Sequence, residues 1–204
     1  MSKYTTLEQH ASYGIGLQMG QQLADNPFEG LDIDAVAAGV IAAFTEQAPE
    51  VTDEQIRAAF TVISERMQAE QAEKAQLLAE AGDAFLAENA KRAEITVTAS
   101  GLQYEVLVAA EGDKPTASST VRTHYHGTLI DGTVFDSSYQ RGEPAEFPVS
   151  GVIAGWTEAL QLMSPGSKLR LYIPHNLAYG ERGAGNAIAP FSALIFDVEL
   201  LAIL

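Results

Sequence analysis

The chain contains no cysteine. That excludes disulfides, thiolate nucleophiles and cysteine-ligated zinc together. Basic residues are scarce: 12 Lys and Arg stand against 27 Asp and Glu, a formal net charge of −15. A field of that sign repels nucleic-acid phosphates and anionic lipid surfaces, so neither is expected as a partner. No apolar run approaches the roughly 18 residues that a membrane helix needs. The opening "MSKYTTLEQH" has one lysine and no apolar stretch behind it. No secretory leader is therefore expected, and the expected location is cytoplasmic, or periplasmic only if a leader has been removed. There is no G-x-S-x-G elbow and no GK[ST] phosphate loop, and "GERGAGN" (180–186) has the wrong spacing for a dinucleotide fingerprint. His124 and His126 share one face of a strand, but no third His or Cys lies nearby, so no metal site is expected. No cofactor is expected either.

What is present changes character near residue 95. Before it, Ala, Gln and Glu dominate a helical background. Thr5 to Glu8 has capping-box spacing, and Leu7, Ala11, Ile15, Met19 and Leu23 follow as a stripe. "DNPFEG" (25–30) breaks that helix, and "DIDAVAAGVIAAF" starts a second behind an acidic N-cap. Thr52 and Gln55 form another capping box and open a third helix running to about Lys91, roughly 60 Å long. Its middle, "QAEQAEKAQ" (68–76), offers only alanine as apolar surface, so a solvent-exposed rod with packed ends is expected. The two short helices cannot bury their stripes against that rod alone. A second copy of the chain is expected to supply the missing surface in a homodimer through the N-terminal helices, the alternative being a compact three-helix monomer.

After residue 95, β-branched and aromatic residues alternate with polar ones. "LQYEVLV" alternates, and "HYHGTLIDGTVFD" is two strands around Asp131-Gly132, a strong hairpin pattern. "LRLYIP" and "ALIFDVELLAIL" supply the last strands, the latter with Leu194, Phe196, Val198 and Leu200 on one face. "GWTEALQLM" is a short amphipathic helix. The expected fold class is α+β: an all-α arm over 1–50, a long connecting helix over 51–92, and over 93–204 a twisted antiparallel sheet wrapped around a short helix.

The only tryptophan, Trp156, sits in "GVIAGW" beside glycine. It is either plain core or the floor of a pocket. Tyr125, Phe135, Phe147, Tyr179 and Phe196 pose the same choice, being core or the walls of an apolar cup with the loops 136–151 and 177–193 as its rim. Asp136, beside Phe135, is a general base or a hydrogen-bonding turn residue.

Taken together, "VRTHYHGTLIDGTVFDSS", "GVIAGWTEALQLMSPGSKLRLYIP", "LAYGERG" and "ALIFDVELL" resemble the FKBP-type peptidyl-prolyl cis-trans isomerases, in the family's order and spacing over residues 95–204. The helical half is similar to the dimerisation arm of the macrophage-infectivity-potentiator-like branch. The resemblance implies that Trp156 floors a proline-binding pocket. Val152 and Ile153 then form its edge, the Ile153 N–H holding a ligand carbonyl. Tyr125, Phe135, Asp136, Tyr179 and Phe196 supply the other walls and polar contacts of catalysis. Phe147 and Ile188 join Val152 and Ile153 in binding substrate and rapamycin-type macrolides. The implied clients are proline-containing unfolded chains. Three positions depart from the family's small members, Ala145, Leu177 and Ala184, where aromatic residues and a flap histidine are usual. The rival reading is a non-catalytic, holdase-type chaperone or binding module.

Overall fold

The computed structural model describes residues 3–25 and 27–204. Met1, Ser2 and Asn26, the last within the expected helix break, lie outside the described residues. The chain opens with α1 (Leu7–Asp25), α2 (Ile33–Phe44) and α3 (Asp53–Asn89). The first cap differs by one residue from the sequence expectation. Thr6, not Thr5, accepts from the Gln9 N–H through its hydroxyl at 3.2 Å, and the Gln9 side chain returns to the N–H groups of Thr5 and Thr6. Adjacent threonines compete for one cap, and the one that pairs with the amide side chain of Gln9 wins. The other caps follow the sequence. The Asp32 carboxylate accepts from Asp34 and Ala35 N–H, and Thr52 and Gln55 close a reciprocal box.

Packing divides the chain between Glu70 and Gln71. In the first unit no described residue is buried. Phe44 is 89% exposed and Leu7 82%. The apolar positions of α1 and α2 instead line a groove of about 270 Å³, walled by Met19, Leu23, Ile33, Val36 and Val40.

The second unit contains the tail of α3 and an antiparallel sheet of β1 (Thr96–Val97), β2 (Gln103–Val108), β3 (Thr120–Leu129), β4 (Val134–Ser137), β5 (Ala145–Pro148), β6 (Lys168–Ile173) and β7 (Leu194–Ile203). Spatial order is β1-β2-β6-β7-β3-β4, with β5 also paired to β3. The β3–β4 hairpin turns at Asp131-Gly132 as its sequence requires, with Gly132 at φ +87° and the Asp131 carboxylate accepting from the Thr133 N–H at 2.8 Å. Register shifts in β2 and twice along β3 add local twist to the sheet.

Alternation in β7 buries Leu194, Phe196, Val198 and Leu200 and leaves Ile195, Asp197 and Glu199 half-exposed. Against the buried face lies α5 (Ala154–Leu160), with Trp156, Ala159 and Leu160 in the core beside Leu171 and Val198. Gly155 explains the pairing of glycine with tryptophan. A Cβ there would fall 2.6 Å from Ile173 Cγ2, so only glycine lets the helix press close enough to seat its neighbour. On the opposite face, Leu86 packs with Tyr172 and Ala193. Asn89 donates to the Gln103 carbonyl oxygen at 2.9 Å, and Gln103 donates to the Leu86 carbonyl at the same distance. The tail of α3 is thus a packed part of the sheet unit.

Candidate active site

Strand alternation and α5 deliver aromatic rings to one place. Tyr125 comes from the inward face of β3, Phe196 from β7, Phe135 from β4, Phe147 from β5, and Trp156 from α5. They line a cavity of about 490 Å³. The rings meet edge-on around Trp156, whose centroid lies 5.2 Å from both Tyr125 and Phe196 and 5.8 Å from Phe147, with interplanar angles of 84°, 81° and 86°. Phe135 meets Phe196 in the same manner at 5.3 Å. Edge-to-face pairs satisfy the ring quadrupoles and fix each ring's orientation. Trp156, 4% exposed, therefore answers both of its sequence readings: it is core by burial and a cavity wall by position. Gly127 opens space for this arrangement, since a Cβ there would lie 2.7 Å from Phe135 and 2.8 Å from Phe196.

The rim is completed by Val152 and Ile153 ahead of α5, by Tyr179, which is 40% exposed, and by Ile188 on the loop before β7. All ten residues singled out from the sequence therefore line one cavity. The Ile153 carbonyl accepts two N–H groups from the first turn of α5, of Trp156 at 2.9 Å and Thr157 at 3.0 Å. Its own N–H makes no hydrogen bond among the described residues.

One polar cluster interrupts the apolar wall. The Tyr125 hydroxyl donates to the Asp136 carboxylate at 2.5 Å, and Arg141 pairs with the other carboxylate oxygen. Arg141 also donates to the Tyr125 hydroxyl oxygen at 2.8 Å, its guanidinium 5.4 Å from that ring's centre. Burial pushes the Asp136 carboxyl up, but the hydrogen bonds from Tyr125 and Arg141 outweigh it and hold the group below the usual carboxylate range. Burial first, and then the bond to Asp136, push the Tyr125 phenol above its usual value. Asp136 thus accepts from both Tyr125 and Arg141, in keeping with the hydrogen-bonding alternative of its sequence reading.

Comparison with known proteins meets this geometry. Residues 111–201 match the FKBP-type peptidyl-prolyl cis-trans isomerase family, and residues 8–106 match the domain amino-terminal to it. The FKBP-type 22 kDa peptidyl-prolyl cis-trans isomerase of Escherichia coli is 53% identical over 201 residues, covering 98% of each chain. The chain belongs to the FKBP-type peptidyl-prolyl cis-trans isomerases.

Another relative is the outer membrane protein MIP of Legionella longbeachae, 40% identical over 98% of this chain and 87% of that one. The crystal structure of FkpA from Escherichia coli superposes with a TM-score of 0.73 at 36% identity, covering 98% of both chains. This FKBP is accordingly an enzyme, a rotamase, with a helical region followed by an antiparallel α+β domain. The expected cytoplasmic location finds no support in these names. Among the described residues no helix is long and apolar enough to cross a membrane.

Arg141 escaped the sequence reading. It ends α4 (Ser138–Arg141), a four-residue helix capped by Ser137 and closed by Gly142 at φ +78°, too short to show any periodicity. The available pattern was Ser137 as N-cap with Gly142 at the C-cap, and no more. Of the three departures from the small FKBPs, Ala184 lines the cavity, while Ala145 and Leu177 pack half-buried against the core behind it. His124 and His126 point away from the cup, each hydrogen-bonded to a serine hydroxyl, of Ser138 and Ser137 respectively.

Proposed function

We propose that the cavity floored by Trp156 is the isomerase site, receiving the proline ring of an X–Pro bond. Tyr125, Phe135, Asp136, Trp156, Tyr179 and Phe196 act as its catalytic residues. Phe147, Val152, Ile153 and Ile188 hold the substrate or a rapamycin-type macrolide. The observation that carries this reading is the edge-on cage of Tyr125, Phe147 and Phe196 around Trp156, an apolar socket of about 490 Å³ with a single charged cluster at its lip.

The chemistry asks for nothing more. Rotation about X–Pro is slow because the C–N bond has double-bond character, with a barrier of ~18–20 kcal/mol. Its end states differ by only about 1 kcal/mol, so no bond need be made or broken. The twisted amide has lost resonance, and its oxygen carries less charge. An apolar socket therefore favours it over the planar form, each tenfold of rate requiring about 1.4 kcal/mol of that preference. Ile153 lines the cavity and its N–H has no partner among the described residues, which supports its orienting a substrate carbonyl. The Asp136 carboxylate, pinned by Arg141, keeps the Tyr125 ring in position as a wall.

The first unit assembles this enzyme into a homodimer that captures unfolded, proline-containing clients. Support comes from its exposure: no described residue up to Glu70 is buried, and an apolar groove between α1 and α2 lacks a cover. An isolated chain with so little burial has no hydrophobic term to offset its ordering entropy. The same exposed surface also supports holdase-type client binding without catalysis. The deciding experiment is a proline-peptide isomerisation assay on the intact protein with and without rapamycin. Acceleration abolished by the macrolide is expected, and no acceleration would leave only the binding-module reading.

A further inference from the structure

The loop Gly180–Pro190 forms a flap that brings Ala184, Ala187 and Ile188 to the cavity wall. Internally it is tightly tied. Ala184 and Ile188 exchange backbone hydrogen bonds of 2.8 and 3.1 Å. At Gly183 (φ +62°) a Cβ would lie 2.2 Å from the Ile188 carbonyl oxygen. Those bonds shape the flap without fixing it to the sheet. At its foot the Phe191 N–H donates to the Gly180 carbonyl at 2.9 Å and joins the two ends of the loop.

Phe191 adopts φ +60°. For a bulky side chain this left-handed conformation is an outlier, retained only where the surroundings over-determine it. Two neighbours do so. The Phe191 ring packs edge-on against His175, with centroids 5.1 Å apart at 64°. His175 opens the short turn leading to Tyr179. From the other side comes α3. A Cβ on its buried Gly82 would stand 3.2 Å from Ala193 Cβ and 4.0 Å from the Phe191 carbonyl oxygen. A side chain there would crowd Ala193 and reach van der Waals contact with the foot of the flap, so glycine lets the helix lie close to both.

We propose that Phe191 is the positioning residue of the flap. Gripped by His175 and backed by α3 at Gly82, it holds Ala184 and Ile188 against the bound substrate. Through it the last turns of the long helix act on the reaction. This rests on the cup being the isomerase site.

Replacing Phe191 by glycine sets two effects of opposite sign against each other. Glycine relieves the left-handed backbone, so if the ring were dispensable the flap would stay in place. If the ring is the grip, the flap loosens although the backbone is relaxed. In the intact protein, Phe191→Gly should lower kcat/KM on a short proline peptide roughly tenfold, chiefly by raising KM. Amide exchange at Ala184 and Ile188 should quicken by roughly tenfold as well. Phe191→Tyr, which keeps the ring, should stay within about twofold of the parent in both readouts. His175→Ala leaves residue 191 untouched and should reproduce the glycine phenotype in weaker form, which covers the case in which Phe191→Gly unfolds. Normal KM in either the glycine variant or His175→Ala overturns the inference, and so does a raised KM with unchanged exchange in the flap. Full activity in Phe196→Ala would instead overturn the underlying reading of the cup.

Discussion

The tail of α3 gives the sharpest quantitative expectation. Consider two fragments, one beginning at residue 71, where the second compact unit starts, and one at residue 93, where the sequence changes periodicity. The shorter lacks Leu86, which is buried against Tyr172 and Ala193, and lacks Phe85, whose ring lies 6.0 Å from that of Tyr172. Losing Leu86 resembles a buried Leu-to-Ala truncation, about 2–5 kcal/mol. Gln103, 5% exposed, loses both side-chain hydrogen bonds at once. Each contributes about 1 kcal/mol, and water entering the uncovered face recovers part of it. The sum is about 3–6 kcal/mol, a large share of the 5–15 kcal/mol by which domains of this size are stable. Urea unfolding followed by Trp156 fluorescence is the assay. With a slope of about 2 kcal/mol/M, the midpoint of the shorter fragment should lie about 1.5–3 M lower. Equal midpoints would show that the helix tail merely rests on the sheet, and would refute the burial reasoning.

Further outcomes follow from the site and the arm. Phe196→Ala should cost about 3–5 kcal/mol of stability and reduce isomerase efficiency beyond what unfolding accounts for; if unfolding explains all of the loss, Phe196 is core alone. The depressed Asp136 carboxyl contributes stability above its unfolded value, and that contribution is lost only as pH falls through the lower, folded value. Isomerase rate should therefore be flat between about pH 8 and 5. Arg141→Ala leaves the Tyr125 hydrogen bond as the main opposition to burial, so the carboxyl should rise and an acid limb should move to higher pH. A profile unchanged by that substitution would remove Arg141 from the site. Light scattering should give twice the 21.8 kDa chain mass; a monomer at micromolar concentration would refute the arm's role in assembly. The fragment beginning at residue 71 should retain activity on short proline peptides but lose most of its effect on proline-limited refolding of a protein, and equal behaviour on both substrates would argue against client capture by the arm.

How much of this was legible in the sequence depended on the range of the forces involved. Asp131-Gly132 announced its hairpin because one local conformational demand, positive φ, is met by glycine. The alternation of Leu194, Phe196, Val198 and Leu200 carried the last strand, since one face of β7 is buried along nearly its whole length. The rod was expected to have packed ends, and Phe85 and Leu86 do pack at one of them, but the sequence did not show what they dock on. That depends on Tyr172 and Ala193, far away in sequence. Placement alone singled out Asp136 and the six aromatics of the cavity but left core and cup both open; the family resemblance chose the cup and added Val152, Ile153 and Ile188. Arg141 was missed because four residues have no period, and β1 and β5 because strands of two and four residues are set by their partners. Phe191 was missed for a different reason: nothing in a phenylalanine announces a left-handed backbone, and its neighbours His175 and Gly180 lie elsewhere along the chain.

The absence of any buried residue among those described before Glu70 has a thermodynamic consequence. In the proposed homodimer a second copy covers the apolar groove of this segment, so its order is governed by mass action. Heating the intact protein should therefore give two transitions of different character. One, belonging to the helical arm, should climb in temperature as the protein is concentrated. The other, belonging to the sheet and the tail of α3, should stay where it is. Dilution would then separate the two halves in stability while leaving the chain between them intact.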